Sequence, residues 1–178
     1  MASTHTPAVN AATMVRDTLR ITLVREIKAA KRELEAYPDD ASVWRAIPGV
    51  PNTGGTLALH IAGNLQHFFG AILGRDGYVR DRDAEFAKRD VPRRQLLSGL
   101  DAAITSVERT LDGLAEERLG APYPEQIAKR TLTTGQFLMH LANHLAYHLG
   151  QLDYHRRAVT GDARGVDAIS VRELPEVT

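Results

Sequence analysis

The sequence predicts an all-α fold, an antiparallel four-helix bundle formed by a single domain. Four long segments place apolar residues at the spacing of a helix. No segment sustains the alternation of apolar and polar residues that a half-buried strand shows. The 178 residues suffice for one hydrophobic core, and the connections are short enough to favour antiparallel neighbours. We expect the core at about residues 12–158, between a flexible N-terminal leader and a flexible C-terminal tail.

The first two predicted helices lie on either side of a connection rich in proline and glycine. The first helix runs from about Ala12 to Ala36 and stops before Pro38, because proline disfavours the helical conformation in the residue that precedes it. The connection covers residues 47–55. The second helix then runs from about Thr56 to Leu73, and Gly74 ends it.

The third and fourth predicted helices follow a charged stretch at residues 75–90. We interpret this stretch as a solvated loop. The alternative is that it makes a contact as a lid. The third helix runs from about Arg93 to Glu117. Its apolar stripe has a regular three-four spacing and consists of Leu97, Leu100, Ile104, Val107, Leu111 and Leu114. The fourth helix starts at Thr133 or Thr134, either of which can cap it through a hydroxyl group, and it ends near Ala158.

Composition excludes several classes of partner and of site. Lysine plus arginine equals aspartate plus glutamate, at 22 each, whereas proteins that bind nucleic acids usually carry a basic excess. The chain has no cysteine, which excludes disulfides, thiolate nucleophiles and zinc sites built on cysteine. The N-terminus lacks the apolar core of a secretory signal. The apolar stretch at residues 57–73 contains four polar side chains, which is typical of a buried helix and not of a membrane span. We therefore expect a cytoplasmic protein that binds neither nucleic acid nor membrane.

Histidines form rows on the fourth and second predicted helices. At about 100° per residue, five polar residues of the fourth helix share one narrow strip. These residues are His140, His144, His148, Gln151 and His155. The row on the second helix spans about 60° and consists of His60, Asn64 and His67. Apolar residues border both rows, so we expect both rows, with their six histidines, to face the interior of the bundle.

The two rows predict a metal site. Two imidazoles four residues apart on a helix can chelate one ion, and a third from a neighbouring helix completes a three-nitrogen set with open positions. We predict His60, His144 and His148 as ligands of a divalent transition metal, with zinc or nickel preferred and iron or manganese as alternatives. A lone histidine on an apolar face is more often a hydrogen-bonded core residue, but burying six imidazoles without a metal is costly. A carboxylate-bridged di-iron site is excluded, because no glutamate precedes a histidine by three residues.

The two rows also bear on the reaction. They contain no carboxylate, and Asp153 lies about 140° around the helix from His148. Hydrolysis by a metal-bound water usually needs a general base nearby. The two rows provide no carboxylate for this role, so they do not favour hydrolysis. Activation of a thiol needs no such base, because coordination by itself deprotonates the thiol.

The stretches "LALHIAGNLQHFFGAILG", "GYVRDRDAEF" and "LMHLANHLAYHLGQLDYHRR" resemble the DinB/YfiT-like superfamily, over roughly Val15 to Arg157. The resemblance implies a four-helix bundle, usually a homodimer, with one divalent ion held by three histidines. The family pattern falls on His60, His144 and His148, and Gln151 matches a position that supports a ligand or the bound water. Asn64 stands where many relatives carry a carboxylate, which weakens an acid–base role for that position.

Two functional hypotheses follow. Relatives with known activity include transferases and isomerases that depend on glutathione, mycothiol or bacillithiol, and others have been described as hydrolases. The first hypothesis is therefore a metal-dependent enzyme that acts on a small molecule with a low-molecular-weight thiol, or as a hydrolase. Its pocket would be shaped by Asn64, His67, Tyr147 and Gln151. The second is a non-catalytic metal-binding or stress-response bundle. A fourth protein ligand, His140 or His67, would favour the second hypothesis, and an open site would favour the first.

Overall fold

The computed structural model describes residues 10–176 and is helical throughout its regular structure. The six α-helices are α1 (Ala11–Glu35), α2 (Asp40–Val43), α3 (Gly54–Leu65), α4 (Arg82–Ala87), α5 (Arg93–Asp112) and α6 (Thr134–Thr160). A π-helical segment, Gln66–Leu73, continues α3, and 3₁₀ turns cover Glu116–Leu119 and Val171–Glu173. Residues 10–176 contain isolated β-bridges but no strand. The predicted all-helical class is confirmed for these residues, and the leader at residues 1–9 lies outside them.

Local capping explains where the two longest helices begin and end. The side chain of Asn10 accepts a hydrogen bond from the backbone N–H of Ala12 at the start of α1. Thr133 caps α6 in a reciprocal capping box with Gln136, which decides between the two predicted cap residues. Gly161 follows α6 in the left-handed conformation, with φ at 71°, and its N–H bonds to a carbonyl of the last turn.

The core lies between the long helices. α1 packs against α5 and α6, and α3 with its π-helical extension packs against the same two helices. Four of the six residues in the stripe predicted for the third helix are buried, namely Leu100, Val107, Leu111 and Leu114. Leu97 and Ile104 are half-buried, and Leu96, which the stripe did not include, is buried. Helix α5 also ends at Asp112, five residues earlier than predicted, where Gly113 caps it.

The π-helical segment is a departure from the regular second helix that the sequence predicts. The backbone N–H of Gly74 bonds to the carbonyl of Phe69, five residues earlier. Two side chains donate to carbonyls of the segment, Tyr123 to Phe68 at 2.7 Å and Thr110 to Phe69 at 2.9 Å. A π turn holds more residues than an α turn, so angles calculated at 100° per residue do not apply beyond Gln66.

The chain after α6 is attached to α1 by polar contacts. Arg32 donates to the carbonyl of Val166 at 2.8 Å, and Arg25 donates to the carbonyl of Ser170 at 3.3 Å. The apolar side chains of Ile169 and Val171 in this segment are exposed. Within residues 10–176, no helix combines the length and the apolar character needed to cross a membrane.

Candidate metal centre

Three histidines from two packed helices meet at one point. His60 lies on α3, and His144 and His148 lie one turn apart on α6, so both rings of α6 project from the same face. Because α3 packs against α6, the rings of the two helices come together. One ligand atom of each of these residues lies within 4.8 Å of the other two. We refer to His60, His144 and His148 as the three-histidine cluster.

The separations of the nitrogens match those around a metal ion. Nε2 of His144 lies 3.4 Å from Nε2 of His60 and 3.0 Å from Nε2 of His148. Imidazole nitrogens bind a divalent ion such as zinc at about 2.0–2.1 Å, so two ligands subtending roughly 90–110° at the ion stand about 3.0–3.4 Å apart. Two of the three nitrogen separations therefore match the spacing of metal ligands, and the three-histidine cluster could hold a metal ion.

The outer nitrogen of His60 is held by a buried ion pair. Nδ1 of His60 lies 2.9 Å from Oε2 of Glu85, and Arg80 donates to both oxygens of that carboxylate at 2.6 Å and 2.8 Å. The side chains of Arg80 and Glu85 are only 10% and 7% exposed. The ring of Phe86 packs beside His60, with 5.0 Å between ring centroids. These contacts fix the imidazole with Nδ1–H directed at the carboxylate and Nε2 directed at the cluster.

The outer nitrogen of His148 is held by an amide. Nδ1 of His148 lies 2.8 Å from Oε1 of Gln151, one turn further along α6. Since a carbonyl oxygen can only accept, Nδ1 of His148 carries the proton and Nε2 presents its lone pair to the cluster. The predicted role of Gln151 beside a candidate ligand agrees with this contact.

Hydrogen bonding alone leaves the cluster with lone pairs that face one another. In neutral rings, the protons on Nδ1 of His60 and His148 leave both Nε2 atoms as acceptors. A proton on Nε2 of His144 can serve only one of these two acceptors. Nitrogen lone pairs that lack a hydrogen-bond donor are unfavourable in a half-buried site. A cation placed among the three nitrogens would satisfy all of these lone pairs at once.

The electrostatics of α6 suit metal ligation. Burial, together with the smaller effect of the neighbouring histidines, lowers the pKa of His144 to about 4. Burial also lowers the pKa of His148, although the hydrogen bond to Gln151 opposes this shift. Both imidazoles are therefore neutral at pH 7, which is the form that binds a metal.

Glu85 is the residue near this site that the sequence prediction missed. We expected residues 75–90 to be a solvated loop; Arg82 and Lys88 are indeed exposed, but Arg80 and Glu85 are not. Burial raises the pKa of Glu85, and the hydrogen bonds from Arg80 and His60 more than offset this, so the pKa is lowered and the carboxylate stays ionised.

Two local features of the sequence could have indicated this element. The side chain of Asp81 caps α4 by accepting from the N–H of Ala84, and acidic residues follow in the first turn, a pattern typical of a helix start. On α3, a Cβ at Gly63 would collide with the carboxylate of Glu85, so the glycine leaves room for this carboxylate at its observed position against α3. The partner of Glu85, however, lies 25 positions away in the chain.

The structure places the other three predicted pocket residues in different surroundings. Asn64 is buried on α3, and its Oδ1 has no hydrogen-bond partner among residues 10–176. Tyr147 is exposed and its ring lies 5.3 Å from that of His148, between centroids. His67 lies on the π-helical segment beside Glu125, at 3.9 Å, and not in the cluster. His67 lies seven residues after His60, about 10 Å along the helix axis, which places it away from the cluster.

The prediction that both histidine rows face the interior is wrong for part of the fourth helix. His140 is exposed, with its ring stacked on that of Phe137 at 6.0 Å between centroids. His155 is buried but fully hydrogen-bonded, with Nδ1 at 2.7 Å from the hydroxyl of Tyr37 and Nε2 at 2.9 Å from the carbonyl of Arg45. His155 is thus a core histidine, and only the middle of the row forms the cluster.

We expect Glu85→Gln to weaken metal binding by about 10-fold to 100-fold, because loss of the partner of a metal-binding histidine typically has an effect of this size. The neutral amide can still accept from His60, but it no longer forms the ionic pair with Arg80. Competition with a chromophoric chelator measures the affinity for zinc. Glu125→Gln is the matched control, since Glu125 is half-exposed and lies beside His67. Equal zinc affinity of the Glu85→Gln variant and the parent would contradict the role of Glu85.

A known protein family matches most of the chain. A family model described as the DinB superfamily matches residues 22–152, a range that includes the three-histidine cluster, Glu85 and Gln151. No curated protein and no solved structure shows a significant match to the chain.

Proposed function

The chain belongs to the DinB superfamily, and on this premise we propose that it is a metal-dependent enzyme that acts on a small molecule with a low-molecular-weight thiol, as an S-transferase does. One observation carries the proposal: three Nε2 atoms converge at metal-ligand spacing, while Glu85 and Gln151 hold the outer nitrogens of two of the rings. We propose further that the four long helical units, α1, α3 with its π-helical extension, α5 and α6, form an antiparallel four-helix bundle, since their mutual packing suits that arrangement.

The residues that would hold the ion are His60, His144 and His148. Three neutral imidazoles suit zinc or nickel best, and iron or manganese are the alternatives. In residues 10–176, no fourth histidine or carboxylate joins the group. Three protein ligands with an open position are typical of catalytic sites, whereas structural sites usually have four. This ligand number favours an enzyme over a non-catalytic metal-binding bundle.

The residues around the cluster favour thiol chemistry over hydrolysis. A bound divalent ion would supply the positive charge that stabilises a thiolate at neutral pH. Hydrolysis would need a carboxylate free to take a proton from water. Both oxygens of Glu85 are already engaged by Arg80 and His60, and Asp153 pairs with Arg156 and Arg157. Glu85 therefore acts as a positioning residue for His60.

The proposal is tested by thiol binding to protein loaded with cobalt(II), whose visible spectrum reports its ligands. We expect glutathione, mycothiol or bacillithiol to produce a saturable sulfur-to-cobalt charge-transfer band, and S-methylglutathione to produce none, because it has no ionisable thiol. The thiol that binds is then assayed for transfer to small electrophiles. Stoichiometric cobalt with no spectral response to any of the three thiols would contradict the proposed function.

A further inference from the structure

A cavity of about 300 Å³ adjoins the three-histidine cluster without including it. It lies between the start of α3 and the last turns of α6, and the connection before α3 closes one side. Its volume is at the lower end of the range of small-molecule sites, roughly 300–1,000 Å³. Gln151 belongs to its wall and also accepts the hydrogen bond from Nδ1 of His148. A molecule in this cavity would therefore be separated from a candidate metal ligand by a single side chain.

The floor of the cavity is apolar and held in place. Leu57 and His155 are 2% and 3% exposed. Both ring nitrogens of His155 are engaged, by Tyr37 and by the carbonyl of Arg45, so the ring offers the cavity no free polar atom. At the mouth, Val50 is 45% exposed. A bound molecule would thus meet an apolar floor that requires no polar partner.

The polar groups of the wall are the amides of Asn52 and Gln151 and the hydroxyl of Tyr154, and no charged side chain among residues 10–176 lines the cavity. The carbonyl oxygen of Gln151 is committed to His148, which leaves its NH₂ group to donate elsewhere. Within residues 10–176 that NH₂ group has no acceptor, and the side chain of Asn52 makes no hydrogen bond. Polar groups in an otherwise apolar pocket fix the orientation of a ligand, and these two amides can recognise an uncharged acceptor such as a carbonyl.

We propose that this cavity binds an uncharged small molecule with an apolar body and a carbonyl-type acceptor, oriented by the amides of Gln151 and Asn52. Its identification as the second substrate of the thiol reaction rests on the proposed function, whereas the binding itself does not. The orientation of Gln151 follows from His148, because Nδ1 of His148 must donate if Nε2 is to face the cluster.

The test uses the zinc-loaded full chain and three ligands with one apolar body: 4-butylacetophenone, 4-butyl-ethylbenzene and 4-butylbenzoate. Calorimetry is expected to show the ketone binding about 2-fold to 10-fold more tightly than the hydrocarbon, the size of one net hydrogen bond. The carboxylate is expected to bind more weakly than the ketone, because no cation lines the cavity. Equal affinity for all three ligands, or no binding of the ketone, would overturn the assignment.

Variants on α6 localise the site. Ala158 lines the cavity and is exposed, so Ala158→Trp is expected to fill the cavity and weaken ketone binding at least 10-fold while zinc stoichiometry is retained. Gly150→Trp is the matched control on the same helix, because a side chain there extends into open space. If Ala158→Trp does not fold, Asn52→Leu provides the test by removing one amide, and it is expected to weaken ketone binding without weakening hydrocarbon binding.

The outcomes separate this assignment from the proposed function. Ketone binding that Ala158→Trp abolishes supports the cavity even if no thiol alters the cobalt spectrum, and that second result contradicts the proposed function alone. A thiol-induced band with no ketone binding overturns the cavity and leaves the proposed function standing. Ketone binding that is equal in Ala158→Trp and Gly150→Trp would also overturn the cavity.

Discussion

His144→Ala is expected to reduce the metal content of the purified protein from about one ion per chain to nearly none. Its Nε2 lies within 3.4 Å of Nε2 of both other histidines, so its loss leaves only two nitrogens on different helices. Loss of a partner outside the ligand set already weakens binding about 10-fold to 100-fold, and loss of a ligand is expected to weaken it further. Elemental analysis after dialysis against a defined excess of zinc measures the result.

His140→Ala is the matched control for this prediction. His140 lies one turn before His144 on α6, but it is exposed and does not belong to the three-histidine cluster. Metal content is therefore expected to stay at the parent value in His140→Ala, and circular dichroism should show the same helix content in both variants. Full metal content in His144→Ala, or an equal loss in both variants, would contradict the assignment of the ligands.

Arg156→Met is expected to lower the free energy of unfolding by about 3–5 kcal/mol, the usual effect of removing one partner from a buried ion pair. The side chain of Arg156 is 1% exposed and pairs with Glu33 on α1, which is completely buried, and with Asp153. It also donates to the carbonyls of Asp162 and Arg164 after the end of α6. One side chain therefore joins α1, α6 and the chain that follows. Urea denaturation followed by circular dichroism measures the loss, which is a large part of a typical stability of about 5–15 kcal/mol.

Arg157→Met tests whether this effect depends on burial. Arg157 also pairs with Asp153, at 2.8 Å, but its side chain is 33% exposed. Exposed ion pairs contribute about 0–1 kcal/mol, so we expect a small change there. A second variant, Arg156→Lys, keeps the charge but loses the forked geometry, and its stability is expected to lie between those of the parent and Arg156→Met. Equal unfolding free energies for Arg156→Met and Arg157→Met would show that the buried pair has no special role.

Much of the helical framework could be predicted because its signals are local. The boundaries of α1 and α6 follow from a proline, a hydroxyl cap and a left-handed glycine, each within a few residues of the helix end. The short helices α2 and α4 escaped prediction, although aspartate caps start both. They are only four and six residues long, and an apolar period cannot be recognised over so few positions.

The candidate site also has features that helical spacing predicts and features that it does not. The spacing of His144 and His148 places both rings on one face of α6 whatever surrounds the helix, and the same reasoning places His60 and Asn64 on one face of α3. His67 shares that face by angle, but it lies two turns beyond His60 on the π-helical segment and outside the cluster. Periodicity also overestimates the burial of the row on α6, since it gives an angle but not the position of the neighbouring helix.

The sequence by itself determined the helical class, the approximate ends of the first and last long helices and the pairing of His144 with His148, because each depends on chain geometry within a turn or two. Only the tertiary structure placed Glu85 against His60, since that contact requires α4 to lie on α3 at a glycine. It also separated His155, which is satisfied by Tyr37, from the histidines of the cluster. Side chains far apart in the sequence meet only through packing, and local periodicity carries no information about that distance.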